Sequence, residues 1–331
     1  MLNKKAISLL SGGLDSVLAT KLMKDQGIEV VALHFTSPFC NCNKGNGGCG
    51  LQAVSASKEL GVRVVVRAKG LEYMDIVRKP RHGYGRNMNP CIDCRIFILK
   101  KAREVMEAEG ASFVITGEVL GQRPMSQTRQ TIRLIEKESG LEGLILRPLS
   151  AKYFPATIPE REGIVDREKL LDISGRSRKR QFALADTFDL KEFGCPGGGC
   201  LLTDSLFVPR VRDLLRHDAD LTMRDVALLR IGRHFRLSAD AKLIVGRNKE
   251  ENDRLVALAS PPYVRVSPVG FQGPEGLLAG IVDDRVVEMT ARIVAHYGKR
   301  ETGKVTIELH DGTGVRHTVD CGPVDLDAIR L

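Results

Sequence analysis

Two stretches of the chain combine residue types and spacing that could do chemistry: Ser11-Gly12-Gly13-Leu14-Asp15-Ser16, and the pair Cys91 and Cys94 in Pro90-Cys91-Ile92-Asp93-Cys94. In the first, glycines let the backbone approach an anion. If a helix opens there, its unbonded N–H groups and its dipole favour negative charge. Ser11 and Ser16 add hydroxyl donors, and Asp15 is a carboxylate suited to Mg²⁺. The stretch therefore predicts a phosphate loop, although it lacks the Gly-Lys-Ser/Thr ending of the Walker type. The bland alternative is a glycine turn with Ser or Asp capping a helix.

The cysteine pair, read alone, admits a redox dithiol, half of a zinc site, or part of a larger thiolate set. Cys195 and Cys200 of "CPGGGC" are the candidates to complete a metal site, though their separation is wide for zinc. Cys40, Cys42 and Cys49 in "CNCNKGNGGC" fit a second metal site, a sulfur relay, or a substrate loop with incidental cysteines. Cys321 reads as structural.

The elements that must position these residues follow from hydrophobic periodicity. "KKAISLL" reads as a buried strand, "SVLATKLMKDQG" as an amphipathic helix, and "EVVALHF" as a second strand. The alternation continues through "LQAVSASKELG", "VRVVVRA", "RIFILKKAREVMEAEG" and "SFVITGE", with "LILRPL" as one more strand. This predicts an α/β fold with a doubly wound parallel sheet. Past about residue 175 the chain turns basic and Arg-rich, so the expected division is 1–175 and 176–331, the second part a smaller α+β domain. "RVVEMTARIVAHYG" reads there as part of a run of strand-like segments and turns such as Asp311-Gly312.

A length of 331 residues supports two domains. The 50 Lys and Arg against 41 Asp and Glu give a net charge of +9, which favours a polyanionic partner such as nucleic acid. No stretch reads as a membrane span or a signal segment, and a cytoplasmic protein is expected. In a reducing compartment, eight cysteines point to metal or catalytic use rather than to structural disulfides. The oligomeric state stays open, a homo-oligomer included.

"SGGLDS" resembles the signature of the PP-loop ATP pyrophosphatases, which adenylate an oxygen and release pyrophosphate. "ALHFTSPF", "VITGEVLGQRPMSQT" and "LRPLS" are similar to segments of the tRNA 4-thiouridine synthases. The resemblance implies that Ser11, Gly12, Gly13, Asp15 and Ser16 hold ATP and Mg²⁺, with His34, Phe35, Gly117 and Gln122 around the adenylate. Those synthases carry an RNA-binding region before the loop, and many carry a rhodanese domain; RNA recognition here is expected from the C-terminal half. The CxxC followed at a distance by a third cysteine resembles the iron–sulfur tRNA thiolases, which implies a [4Fe–4S] cluster on Cys91, Cys94 and Cys195 or Cys200, with zinc as the alternative. "IGRHFRLSADAKLIVGRN", within an expected region of about 204–262, resembles the RNA-binding domain of the NFACT proteins and implies phosphate contacts by Arg230, Arg233, Arg236 and Arg247.

The expected function is an ATP-dependent tRNA sulfurtransferase that replaces a uridine oxygen with sulfur, 4-thiouridine ahead of 2-thiouridine, using tRNA and a sulfide or persulfide donor. Asp15, Cys91, Cys94 and Cys195 are its expected catalytic residues. A PP-loop ligase with a structural zinc site, or a non-catalytic RNA-binding quality-control factor, are the alternatives.

Overall fold

The structure, a computed structural model, describes residues 2–41, 48–191, 193–194, 199–218, 220–300, 303–310, 315–322 and 324–331. The chain divides into two compact units, Met1–Asp204 and Ser205–Leu331.

In the first unit the elements are β1 (Lys5–Leu9), α1 (Leu14–Asp25), β2 (Glu29–Thr36), α2 (Gly48–Glu59), β3 (Arg63–Ala68), α3 (Leu71–Arg78), α4 (Cys91–Ala108), β4 (Phe113–Thr116), α5 (Arg129–Ser139), β5 (Ile145–Leu146), α6 (Ile158–Arg161) and α7 (Lys179–Thr187). The strands form one parallel sheet in the order β3-β2-β1-β4-β5. Helices cover both faces, so the central strands β1, β2 and β4 are apolar almost throughout, as strands buried on two sides must be. Edge strand β3 is correspondingly more exposed. The expected doubly wound α/β fold is borne out. The strand order reverses between β1 and β4, and in open α/β sheets the crevice at the carboxyl ends of such strands is where ligands bind.

The division at Asp204 rather than at 175 has a physical reason. α7 packs on α1, and Ala185 and Leu190 join the core that α1 builds with the sheet. Farther on, the Gly194 N–H donates to the Gly12 carbonyl at 2.7 Å, and residues 199–201 run antiparallel to 39–41. The basic run is surface chemistry, whereas these apolar and backbone contacts decide where the segment belongs.

The second unit holds α8 (Val208–His217), α9 (Met223–Leu228), β6 (Arg233–Ser238), β7 (Ala241–Val245), α10 (Lys249–Leu258), β8 (Val264–Val269), β9 (Gly276–Gly280), α11 (Asp284–Tyr297), β10 (Gly303–His310) and β11 (Arg316–Cys321). Its strands form an antiparallel sheet in the order β11-β10-β8-β9-β7-β6. "RVVEMTARIVAHYG", expected among strand-like runs, is the helix α11. Val286, Val287, Thr290, Ala291, Ile293 and Val294 recur on one buried face at helical spacing, and the Asp283 side chain caps the start by accepting from the Val286 N–H at 2.7 Å. The β-branched residues suggest strand by type, but their burial against the sheet core decides for helix. The Asp311-Gly312 turn lies outside the described residues.

Candidate functional site: a nucleotide loop and four cysteines in one cavity

A cavity of about 360 Å³ opens at the carboxyl edge of the parallel sheet. Ser11 and Asp15 follow β1, His34 and Phe35 end β2, Lys69 follows β3, and Thr116 and Gly117 end β4; all line it. Four cysteines, Cys40, Cys91, Cys94 and Cys200, line the same cavity.

The Ser11–Ser16 loop is tied by its own hydroxyls. Ser16 Oγ lies 3.1 Å from Ser11 Oγ and donates to the Gly13 carbonyl at 2.8 Å, while the Gly13 N–H donates to Ser11 Oγ at 3.3 Å. Gly13 is the N-cap of α1 and supplies no side-chain acceptor, so the helix start is presented as backbone donors. Gly12 has φ +79°, and a Cβ there would sit 2.7 Å from the Ala53 nitrogen. A Cβ on Gly117 would come within 2.5 Å of the Ser16 nitrogen, so only glycine lets the end of β4 pass this close to the loop.

Gln122 Nε2 donates to Asp15 Oδ2 at 3.1 Å, and Arg178 stands 3.9 Å from the same oxygen. Asp15 Oδ1 is buried with no hydrogen-bond partner, an acceptor suited to a cation. His34 Nδ1 donates to the Leu10 carbonyl at 3.0 Å, which leaves Nε2 as a buried acceptor without a partner. Burial lowers the His34 pKa and keeps the ring neutral.

Beneath the loop, Glu118 is buried and accepts from Arg95 Nη2 at 2.6 Å and Arg147 Nε at 3.0 Å. Burial alone would raise its carboxyl; the two guanidiniums outweigh that and bring its pKa to about 2. Arg95 thereby stands fixed at the cavity wall, one residue from Cys94.

Cys91 and Cys94 occupy the first turn of α4, where the helix dipole favours thiolate. The buried Asp93 carboxylate accepts the backbone N–H groups of Arg81 at 3.1 Å and His82 at 3.0 Å, which pins the preceding loop to the helix start. Met88 N–H and Asn87 Nδ2 donate to the carbonyls of Leu202 and Thr203 at 3.1 and 2.7 Å, tying that loop to the segment that bears Cys200. The cysteines differ in character. Burial raises the Cys94 thiol, but Lys69 Nζ at 3.0 Å, the Tyr73 hydroxyl and Arg95 together take it below its ordinary value. Burial and the neighbouring Cys94 push Cys91 up, and burial takes Cys200 to about 11.

The expected residues Ser11, Gly13, Asp15, Ser16, His34, Phe35, Gly117 and Gln122 thus line one cavity together with Cys91, Cys94 and Cys200, while Gly12 is buried within the loop. Cys195 and Cys42 lie outside the described residues. Among the described residues no group of three or more His, Cys, Asp or Glu is arranged to hold a metal ion. Sequence reasoning missed Lys69, Tyr73, Arg95 and Arg178. A signal existed for Lys69, the first residue beyond β3 on the ligand-binding edge of the sheet; Arg178 was hidden in a basic run.

In the second unit, Arg236 donates to both oxygens of the buried Asp213 at 2.8 and 2.7 Å, so its guanidinium is engaged in an internal ion pair. Arg233 stacks over the Tyr297 ring at 4.2 Å from the centroid and donates to the Gly246 carbonyl at 3.3 Å. Arg247 is exposed and paired with Glu251, and Arg230 is partly buried.

Residues 2–152 match the family model described as thiamine biosynthesis protein (ThiI), and residues 232–330 match that of the NFACT protein RNA binding domain. The chain joins these two segments. The expected resemblance to the thiouridine synthase type of PP-loop protein, followed by an NFACT-like region, is therefore borne out. A tRNA-specific 2-thiouridylase MnmA of Clostridium acetobutylicum is 32% identical over 131 residues, covering 35% of this chain and 36% of that protein. A probable tRNA sulfurtransferase of Methanothermobacter thermautotrophicus is 34% identical over 146 residues, covering 44% and 36%. The chain spans little more than a third of the length of these curated relatives. A solved 4-thiouridine synthetase–RNA complex with bound ATP matches at 20% identity over 68% of this chain and 52% of that one, with a TM-score of 0.37. No helix among the described residues is long and apolar enough to cross a membrane.

Proposed function

We propose that the chain is an ATP-dependent tRNA sulfurtransferase acting in the cytoplasm, which adenylates a uridine carbonyl oxygen and replaces it with sulfur, 4-thiouridine being the favoured product. The observation that carries this reading is the meeting of an anion-binding loop and four cysteines in a single cavity. An adenylating loop needs a second reactant beside it, and thiols are the nucleophilic groups gathered there. The ThiI match over 2–152 and the NFACT match over 232–330 support tRNA as the partner.

In this reading the backbone donors at the start of α1 receive the pyrophosphate of ATP, with the Ser11 and Ser16 hydroxyls beside them. Asp15, whose Oδ1 is buried and unpartnered, would hold Mg²⁺, which supplies charge neutralisation to the phosphates. His34 Nε2 and the Gln127 Oε1 atom are acceptors fitted to N–H donors such as an adenine amino group. The uridine oxygen attacks the α-phosphorus and pyrophosphate leaves; a sulfur nucleophile then adds to the activated carbon and AMP departs.

Cys91 and Cys94 would supply two thiolates to a [4Fe–4S] cluster, and the donor set suits it: both stand on the first turn of one helix, with Lys69 and Arg95 to offset the negative charge. Such a cluster would offer an open coordination position to exogenous sulfide; a persulfide carrier is the other donor. Cys195 or Cys200 would be the third ligand; Cys200 lines the same cavity as Cys91 and Cys94. For RNA, the exposed Arg247 with Arg233 and Arg230 would contact phosphates, and Arg236 is left out of that set.

The test is anaerobic incubation of the full chain with unmodified tRNA, ATP and sulfide, followed by nucleoside analysis and measurement of AMP. Thiouridine formed with stoichiometric AMP is expected, and Asp15→Ala should lower both together. AMP without thiouridine, with stoichiometric zinc in the protein, would indicate a PP-loop ligase instead.

A further inference from the structure

Cys40 lines the cavity with the Ser11–Ser16 loop and the α4 cysteines, but its backbone setting pairs it with Cys200. Cys40 and Cys200 face each other as an antiparallel bridge pair. The hydrogen bonds around them run from the Leu201 N–H to the Phe39 carbonyl at 2.8 Å and from the Asn41 N–H to the Gly199 carbonyl at 2.9 Å. Both bonds join the neighbours of the two cysteines, so Cys40 and Cys200 form a non-hydrogen-bonded pair. Such pairs bring Cα atoms to about 4.5 Å and turn both side chains to the same face. That spacing lies within the range a disulfide spans, about 4.4–6.8 Å. Both residues line the cavity, and neither is in a disulfide here.

We propose that Cys40 and Cys200 are an oxidative modification site: a dithiol that closes to a disulfide on reaction with a low-molecular-weight disulfide such as oxidised glutathione. The Cys40 thiolate attacks one sulfur of the oxidant, forming a mixed disulfide and releasing one glutathione thiolate. Cys200, deprotonated, then attacks the Cys40 sulfur and displaces the second glutathione. Two thiols lose two protons and two electrons, and one disulfide molecule becomes two thiols. Closure would lock the chain after β2 to the segment 199–201 across a wall of the cavity and withdraw Cys200 from sulfur chemistry. Cys91 and Cys94, one helical turn apart and flanked by Lys69, have no such backbone pairing with either.

The full-length chain, isolated anaerobically, is treated with oxidised glutathione, quenched with iodoacetamide and mapped by mass spectrometry without reduction. A linked peptide joining Cys40 to Cys200 is expected, with loss of alkylation at both and none at Cys91 or Cys94. In Cys200→Ser, Cys40 should retain glutathione as a mixed disulfide, because its resolving thiol is gone. Linkage of Cys200 to another cysteine, or full alkylation of both in a large excess of oxidant, would overturn the assignment. So would Cys40 left unmodified in Cys200→Ser. None of these readouts depends on tRNA thiolation, so they stand apart from the test of that activity.

Discussion

Glu118 in the first unit and Asp213 in the second are both buried carboxylates clamped by two cations, yet they serve different ends. Glu118 holds Arg95 and Arg147, and through Arg95 it fixes a charge on the wall of the cavity. Asp213 holds Arg236 and Lys242, at 2.7 and 2.8 Å, and occupies both. The same ion cluster therefore presents a cation in one unit and conceals one in the other. A count of arginines in the sequence cannot distinguish these outcomes; the position of the carboxylate relative to a cavity does.

The largest effect should come from Glu118→Ala. Arg147 is 3% exposed, and removing Glu118 leaves its buried charge with Glu136 alone and takes the carboxylate from Arg95 as well, which costs up to about 3–5 kcal/mol. Urea denaturation would measure this. On the proposed reading Arg95 would also shift, and the thermal stabilisation by ATP should fall with it. Glu118 also sets a pH window. Its folded pKa of about 2 lies below an unfolded value of about 4.3, so its contribution is complete above that unfolded value and is lost as pH falls toward 2. Stability of Glu118→Gln should accordingly change less than that of the parent chain across this window.

Asp213→Ala should cost less, about 1–3 kcal/mol, because Arg236 is 18% and Lys242 10% exposed and water can reach them. Burial opposes the ionised Asp213, and Arg236 and Lys242 overcome it, holding the carboxyl below its ordinary pKa. ATP stabilisation should be untouched, which separates the two clusters sharply. An equal loss of ATP response in both variants would collapse the distinction between a site cluster and a structural one.

Gly117→Ala probes the same contrast by shape rather than charge. The added methyl would meet the backbone of Asp15 and Ser16, which cannot swing aside like a side chain, at a cost of about 1–3 kcal/mol. On the proposed reading AMP release would fall further than stability alone accounts for, because the loop itself must move.

The parallel sheet and the loop were legible because both are local: continuous apolar strands, a helix signature after β1, and a glycine turn between them. The meeting of Cys40 with Cys200 was not, since it depends on two short backbone segments about 160 residues apart pairing in register. Lys69 had a signal in its place just beyond β3, but its contact with the Cys94 sulfur joins side chains of two different elements. α11 was misread because β-branched residues favour strands by type, while the buried stripe of Val286, Thr290 and Val294 imposes the helix. Arg236 was legible as a cation but not as an occupied one, because Asp213 lies on a different element, 23 residues earlier.

The smallest effect, and the one that returns to the comparison, concerns RNA. Removing one cation that neutralises a phosphate should reduce the slope of log affinity against log salt by about 1. Arg247, exposed and paired with Glu251 four residues on, would on the proposed reading join the cations that a polyanion can recruit, at the expense of that surface pair. Arg247→Ala should therefore lower the salt slope of tRNA binding and leave urea stability within about 0.5 kcal/mol. Arg236→Ala should do the reverse, lowering stability with the slope unchanged, because what it breaks is the clamp on Asp213. If both variants lower the slope alike, then the second cluster opens on binding, and its concealed cation serves RNA rather than the fold.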